Sequence, residues 1–172
     1  MSHTYVVYVE DKPGVLDRVS SLFRRRGFNI ESLAVGHTHQ PGVSHMTIVT
    51  EVDDTTARRV EAHLYKLVNV LKVKDVTGTP SVKRDLALIK VRAGAEHRPQ
   101  VLQIAEVFRA RVVDVAPEAL IVEITGTEDK IDGLLEVLRP FGVLDMARTG
   151  AVAMARSSGQ VELQKTLVAE PA

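Results

Sequence analysis

Hydrophobic and polar positions in the first 77 residues predict two amphipathic helices set between four strands. Residues 4–10 are β-branched and aromatic, which is typical of a strand, and the turn residues Pro13 and Gly14 follow them. The helix predicted next ends at Gly27, a residue that suits the position just past a helix C-terminus. Its inward face carries Val15, Val19, Leu22 and Phe23 at helical spacing.

A hairpin and a second helix complete this unit. Residues 29–39 and 42–52 are β-like and meet at a turn around Gln40-Pro41-Gly42. Asp53 and Asp54 then suit the cap and first turn of a helix, and residues 68–77 form a last strand. The inward positions of that helix are Ala57, Val60, Leu64 and Leu67. Residues 4–77 therefore have the pattern βαββαβ.

The same order of elements recurs in the second half of the chain, as a weak internal repeat of about 75 residues. We predict a first domain at 1–78, a polar linker at 79–85, a second domain at 86–156 and a mobile tail at 157–172. A βαββαβ unit places both helices on one face of a four-stranded antiparallel sheet, which is the ferredoxin-like plan. The fold class is therefore α+β, with two such domains. Because each sheet leaves its other face and its edges open, we expect at least a homodimer.

Composition narrows the classes of partner. Lys and Arg total 22, as do Asp and Glu, so no basic surface is predicted for nucleic acid or for an anionic membrane. The chain has no cysteine, which fits a reducing compartment. Neither an export signal nor an apolar stretch of membrane-spanning length is found, so we expect a soluble, cytoplasmic protein.

Catalytic and metal-binding patterns are weak. The serines have no nucleophile-elbow context, and glycine-rich nucleotide motifs are absent, so we do not expect an enzyme. His37 and His39 are expected on one side of a strand, with His45 across the hairpin, which makes a transition-metal site conceivable. The simpler interpretation is that they are exposed polar residues near a hairpin tip, because no carboxylate or cysteine completes a ligand pattern.

Gly14 and Asn29 form the most informative pair. A glycine at a helix N-terminus leaves the first amides open to an anion and lets a ligand approach the backbone. The Asn29 amide offers both a donor and an acceptor, which suits a zwitterion. The residues alone leave open that Gly14 only permits a turn and that Asn29 only starts a strand.

Several blocks resemble a known family. DKPGVL at 11–16 and RVSSLFRRRGFNIESL at 18–33 resemble the signature of the ACT domain, an amino-acid-sensing ferredoxin-like module. The chain from about residue 3 to 156 resembles the small, regulatory subunit of acetolactate synthase. The resemblance implies a non-catalytic subunit that activates a thiamine-diphosphate-dependent catalytic subunit and confers feedback inhibition by valine or another branched-chain amino acid. It implies no cofactor in this chain, with thiamine diphosphate, Mg²⁺ and FAD expected in the catalytic partner.

The same resemblance implies where the effector binds. Asp11 and Gly14 would border its carboxylate, Asn29 and Ile30 of a neighbouring protomer would complete the pocket, and apolar walls would come from Val15, Leu16 and Val35. The helix between Gly14 and Asn29 would be about 20 Å long, so one chain cannot bring both to one small ligand. We therefore expect a site shared by two chains. The alternatives are a free-standing amino-acid-responsive regulator and a metal-responsive module.

Overall fold

The first domain has the predicted order of elements. The computed structural model of the chain describes residues 1–156, and the tail predicted at 157–172 lies outside the described residues. The elements of this domain are β1 (Ser2–Glu10), α1 (Val15–Arg26), β2 (Ser32–His37), β3 (Val43–Glu51), α2 (Asp54–Leu64) and β4 (Val70–Asp75). The strands form an antiparallel sheet in the order β2-β3-β1-β4, so β2 and β4 are its edges.

One face of this sheet carries the two helices and the core. Alternate residues of β1, namely Tyr5, Val7 and Val9, are buried there. The four residues predicted on the inner face of α1 are the four that are buried. At the start of α2, Asp53 is the N-cap residue and accepts a hydrogen bond from the Thr56 amide at 2.8 Å. Leu67, also predicted to face inward, lies beyond the end of α2 but still packs on this core.

The second domain repeats this plan. Its elements are β5 (Ser81–Arg92), α3 (Arg98–Val107), β6 (Arg111–Val115), β7 (Ala119–Gly126), α4 (Glu128–Leu138), a short 3₁₀ turn (Arg139–Phe141) and β8 (Val143–Arg148). The strand order β6-β7-β5-β8 matches that of the first sheet. Both domains are thus βαββαβ, and the predicted fold class is confirmed.

A further strand, β9 (Val152–Ala155), was not predicted, and it joins the two domains. It pairs with residues 81–84, the first part of β5, while the rest of β5 belongs to the second sheet. Most of the segment predicted as a linker is therefore strand, because β9, which follows β8 in the chain, pairs with it. The pairing was not evident in the sequence because β9 has only four residues and only Ala153 among them is buried.

β9 also covers part of the outer face of the first sheet. Ala153 packs against Val6 and Val76 in a small buried cluster, and its amide donates to Thr47 Oγ1 at 3.1 Å. Lys83 Nζ donates to Thr4 Oγ1 at 2.8 Å in the same interface. We expected a second copy of the chain to cover this face, and β9 covers part of it instead. The expected homodimer stays a prediction.

Candidate functional site

The loop between β1 and α1 presents an open helix N-terminus. Gly14 is the N-cap residue of α1 and has φ = 81°, a left-handed conformation that favours glycine. No side chain caps the helix, and among the described residues no hydrogen bond is recorded for the amides of Leu16 and Asp17. These amides and the helix dipole make the end of the loop attractive to an anion.

No other part of this chain fills the space next to Gly14. A Cβ placed at Gly14 would meet no atom within 4 Å, so an outside group can reach the backbone here. The Leu16 side chain is 45% exposed beside it and offers an apolar contact. Val15, predicted as a wall, instead points into the core with 4% exposure, so only its main chain can face a ligand.

The other predicted half of the site lies at the far end of α1. Gly27 ends the helix in a left-handed conformation, and Asn29 follows as an exposed residue. The Asn29 amide donates to Glu31 Oε1 at 2.5 Å, and its backbone carbonyl accepts from Thr50 Oγ1 at 2.5 Å. Ile30 packs partly against the first core. The Asn29 side chain is thus oriented by its neighbours but remains open to solvent.

One chain does not bring these two ends together. α1 has 12 residues, which at 1.5 Å per residue is about 18 Å. Neither of two surface grooves on residues 1–156 is lined by Asp11, Gly14, Asn29 or Ile30. Val35, on the helix side of the edge strand β2, is 47% exposed. Each end of α1 therefore offers only part of a ligand site, and the role of these residues stays a prediction.

Within residues 1–156, the histidines near the hairpin line one groove but are not placed together to hold a metal ion. His37 Nδ1 lies 3.2 Å from Asp11 Oδ2, which joins the end of β2 to the β1–α1 loop. His45 pairs across the hairpin with Gly36, so it lies on the opposite face of the sheet from His37, and His39 lies in the turn. The metal site that the sequence left conceivable therefore lacks a shared face for His37 and His45. His37 and His39 are exposed, as the simpler interpretation predicted.

His45 instead packs on Tyr8, with ring centroids 5.3 Å apart in an edge-on arrangement. Burial lowers the pKa of its imidazole. The residues that the structure describes include no group of three His, Asp or Glu side chains placed to hold a metal ion.

A polar network that the sequence did not reveal surrounds the base of the β1–α1 loop. Asn69, 8% exposed just before β4, donates from Nδ2 to Glu10 Oε2 at 2.5 Å and accepts from Arg18 Nη1 through Oδ1. Lys12 Nζ lies 3.3 Å from the same Glu10 oxygen. The hydrogen bond from Asn69, with a second from Lys12, lowers the pKa of the Glu10 carboxyl.

Comparison with known proteins identifies the family. Over 155 residues, 90% of this chain and 91% of the relative, the chain is 52% identical to the acetolactate synthase small subunit of Mycolicibacterium smegmatis. It is 49% identical to the probable acetolactate synthase small subunit of Archaeoglobus fulgidus, over 92% of this chain and 99% of that one. The chain belongs to the acetolactate synthase small-subunit family.

Family models and a solved structure agree with this assignment along the chain. A model described as "AHAS small subunit-like ACT domain" matches residues 6–72, and one described as "Small subunit of acetolactate synthase" matches residues 84–157. The crystal structure of the acetolactate synthase small subunit from Thermotoga maritima superposes with a TM-score of 0.84 at 41% identity, covering 91% of this chain and 98% of that one. The first domain of this small-subunit family member is thus an ACT domain, and the resemblance stated from the sequence is confirmed.

Helices of this family member are short. Within residues 1–156 no helix is long and apolar enough to cross a membrane.

Proposed function

We propose that this chain is the regulatory subunit of an acetolactate synthase. It binds the thiamine-diphosphate-dependent catalytic subunit, raises its activity and confers feedback inhibition by a branched-chain amino acid. The observation that carries the proposal is the 52% identity to an acetolactate synthase small subunit over 90% of the chain. Thiamine diphosphate, Mg²⁺ and FAD belong to the catalytic partner in this proposal, and the partner performs the chemistry.

The effector site is proposed to lie between the ACT domains of two copies of the chain. β2 is an edge strand, hydrogen-bonded on one side only to β3, so its other side is free to pair. Antiparallel pairing of two β2 strands about a two-fold axis makes the two α1 helices run in opposite directions. The Gly14 end of one helix then lies beside the Asn29 end of the other, and a dimer has two such sites.

The chemistry of the two ends suits an apolar amino acid. The open amides of α1 at Leu16 and Asp17 favour the effector's carboxylate. The Asp11 carboxylate and the Asn29 Oδ1 atom can accept from its ammonium group. Leu16 and Val35, which are 45% and 47% exposed, offer apolar contacts to a branched side chain.

Regulation follows as a population shift. An effector bound between two ACT domains stabilises one arrangement of the dimer, and the catalytic subunit must bind the two arrangements with different affinity or activity. The second domain is connected to the ACT sheet through β9 and can carry a change in the dimer to a partner bound elsewhere.

Reconstitution tests this function. Acetolactate formation from pyruvate is measured with thiamine diphosphate, Mg²⁺ and FAD, for the catalytic subunit of the same organism, for this chain, and for both together. We expect no product from this chain alone, a higher rate for the mixture than for the catalytic subunit, and a lower rate of the mixture when valine, leucine or isoleucine is added. Product from this chain alone, or a mixture no faster than the catalytic subunit and insensitive to all three amino acids, would contradict the proposal.

A further inference from the structure

Asn69 joins three parts of the ACT domain that are far apart in sequence. Its side chain contacts Glu10, at the end of β1, and Arg18, in the first part of α1. Its backbone carbonyl also accepts from the Glu10 amide at 2.9 Å. Residues 11–14, which we call the effector loop, lie between the two residues that the Asn69 side chain contacts.

The charges around Asn69 determine the orientation of its amide. The NH₂ group faces a carboxylate and the oxygen faces a guanidinium, so a flipped amide would place donor against donor and acceptor against acceptor. Asn69 is nearly buried, so losing either partner leaves a polar group without compensation. Of the side chains of this size, only an amide can donate to Glu10 and accept from Arg18 at the same time.

The effector loop has a second attachment on its other side. The Asp11 amide donates to the carbonyl of Gly42 in the β2–β3 turn at 2.8 Å. The loop is therefore held from one side by the hairpin and from the other by the Asn69 side chain. With both attachments in place, Gly14 and the open amides of α1 have one defined position.

We propose that Asn69 is a positioning residue for the effector site. Through Glu10 and Arg18 it holds the effector loop and the first turn of α1 in the arrangement that receives the effector's carboxylate. It does not contact the effector. The part of this inference that concerns effector binding rests on the proposed function. The part that concerns the position of the effector loop is independent of that function.

An exchange of chemical roles tests the inference in the full-length chain. In Asn69→Asp the donor to Glu10 is lost and two carboxylates meet. In the double variant Glu10→Gln with Asn69→Asp, the glutamine amide donates to the aspartate, whose other oxygen still accepts from Arg18. The contact returns with its donor and acceptor exchanged. Gln100→Glu, an exposed change of amide to carboxylate in α3, is the matched control.

Hydrogen exchange measures the loop without any effector. In Asn69→Asp we expect exchange of the peptide containing residues 9–20 to be about ten-fold faster, since a hydrogen bond to a charged group is lost. In the double variant the rate should return to within about three-fold of wild type. The peptide containing β7, residues 119–126, should exchange as in wild type throughout, as should every peptide of Gln100→Glu outside α3.

Calorimetric titration with valine, leucine and isoleucine measures the consequence. The Kd of the amino acid that binds wild type should rise about ten-fold in Asn69→Asp and recover in the double variant. If Asn69→Asp does not fold, Arg18→Gln, at an exposed position, removes the other contact and should speed loop exchange and raise Kd about three-fold.

The outcomes separate the two proposals. Unchanged loop exchange in the single variants, or no recovery in the double variant, would overturn the positioning role. Altered exchange with an unchanged Kd would overturn the link to the effector. If wild type binds none of the three amino acids, the effector part of the proposed function fails, and the exchange rates still decide whether Asn69 positions the loop.

Discussion

Gly14 and Asn29 stand at the two ends of a single 12-residue helix, α1. Both lie on the surface, and about 18 Å of helix separates them. A free amino acid spans well under half of that distance. If both residues contact one effector molecule, they do so from different chains, which is the central claim of the proposed regulation.

Charge at Gly14 should abolish the effector response. Gly14→Asp and Gly14→Asn both place a side chain at φ = 81°, a conformation that these two residues tolerate better than most. The aspartate repels the effector's carboxylate and can itself accept from the open amides of α1. We expect Gly14→Asp to bind valine at least about ten-fold more weakly than Gly14→Asn.

Calorimetry with valine measures both affinities, and thermal unfolding checks that both variants are folded. A Cβ at Gly14 meets no atom within 4 Å, so the fold should tolerate either substitution. Equal affinities for the two variants would show that the effector's carboxylate does not approach Gly14.

His45 should make the ACT domain less stable in mild acid. Burial lowers the pKa of its imidazole below the ordinary value of 6.5. The unfolded chain therefore takes up this proton first as pH falls. The stability that the neutral ring contributes is fully present above about pH 6.5 and is lost as pH falls through the folded-state pKa. The free energy of unfolding should thus decrease between pH 7 and pH 5.

Urea denaturation at several pH values measures this slope. His45→Gln should show a shallower decrease over that range than wild type, because the buried titrating group is gone. A wild-type slope in His45→Gln would show that the titration of His45 does not cause the loss of stability.

The contact of β9 with the ACT sheet should stabilise the chain. Ala153 is 1% exposed and packs on Val6 and Val76, so Ala153→Glu forces a carboxylate into a space that an alanine methyl group fills. Pairing of this carboxylate with Lys83, directly opposite on β5, would take the lysine from Thr4 Oγ1. We expect Ala153→Glu to lower the free energy of unfolding by on the order of 3 kcal/mol. Met154→Glu, the next residue on the strand and 62% exposed, should cost less than about 0.5 kcal/mol. Equal denaturation midpoints for the two variants would contradict the importance of this contact.

Local pattern was enough to predict most of the fold. The spacing of Val15, Val19, Leu22 and Phe23 identified the buried face of α1, and Asp53 was recognised as a cap because its partner lies only three residues away. Both signals depend on neighbouring residues. The two βαββαβ units could therefore be assigned from sequence.

The features that were missed depend on distant partners. Asn69 contacts Glu10 and Arg18, which are 59 and 51 residues away in sequence, and no local pattern marks it as a junction. The pairing of β9 with β5 is equally remote in sequence. The sequence also left open whether His37 and His45 share a face, because proximity in a hairpin does not specify register and a shift of one residue reverses the face.

Complementation between two defective chains tests the shared site most directly. Gly14→Asp and Asn29→Ala chains, each unable to bind valine alone, are mixed and allowed to exchange subunits, with different tags to quantify the heterodimer. If each site takes Gly14 from one chain and Asn29 from the other, the heterodimer has one site with both lesions and one with neither. Calorimetry should then show valine binding return in proportion to the heterodimer, with one intact site per mixed dimer and wild-type affinity at that site. Complete subunit exchange with no return of valine binding would contradict a site built from two chains.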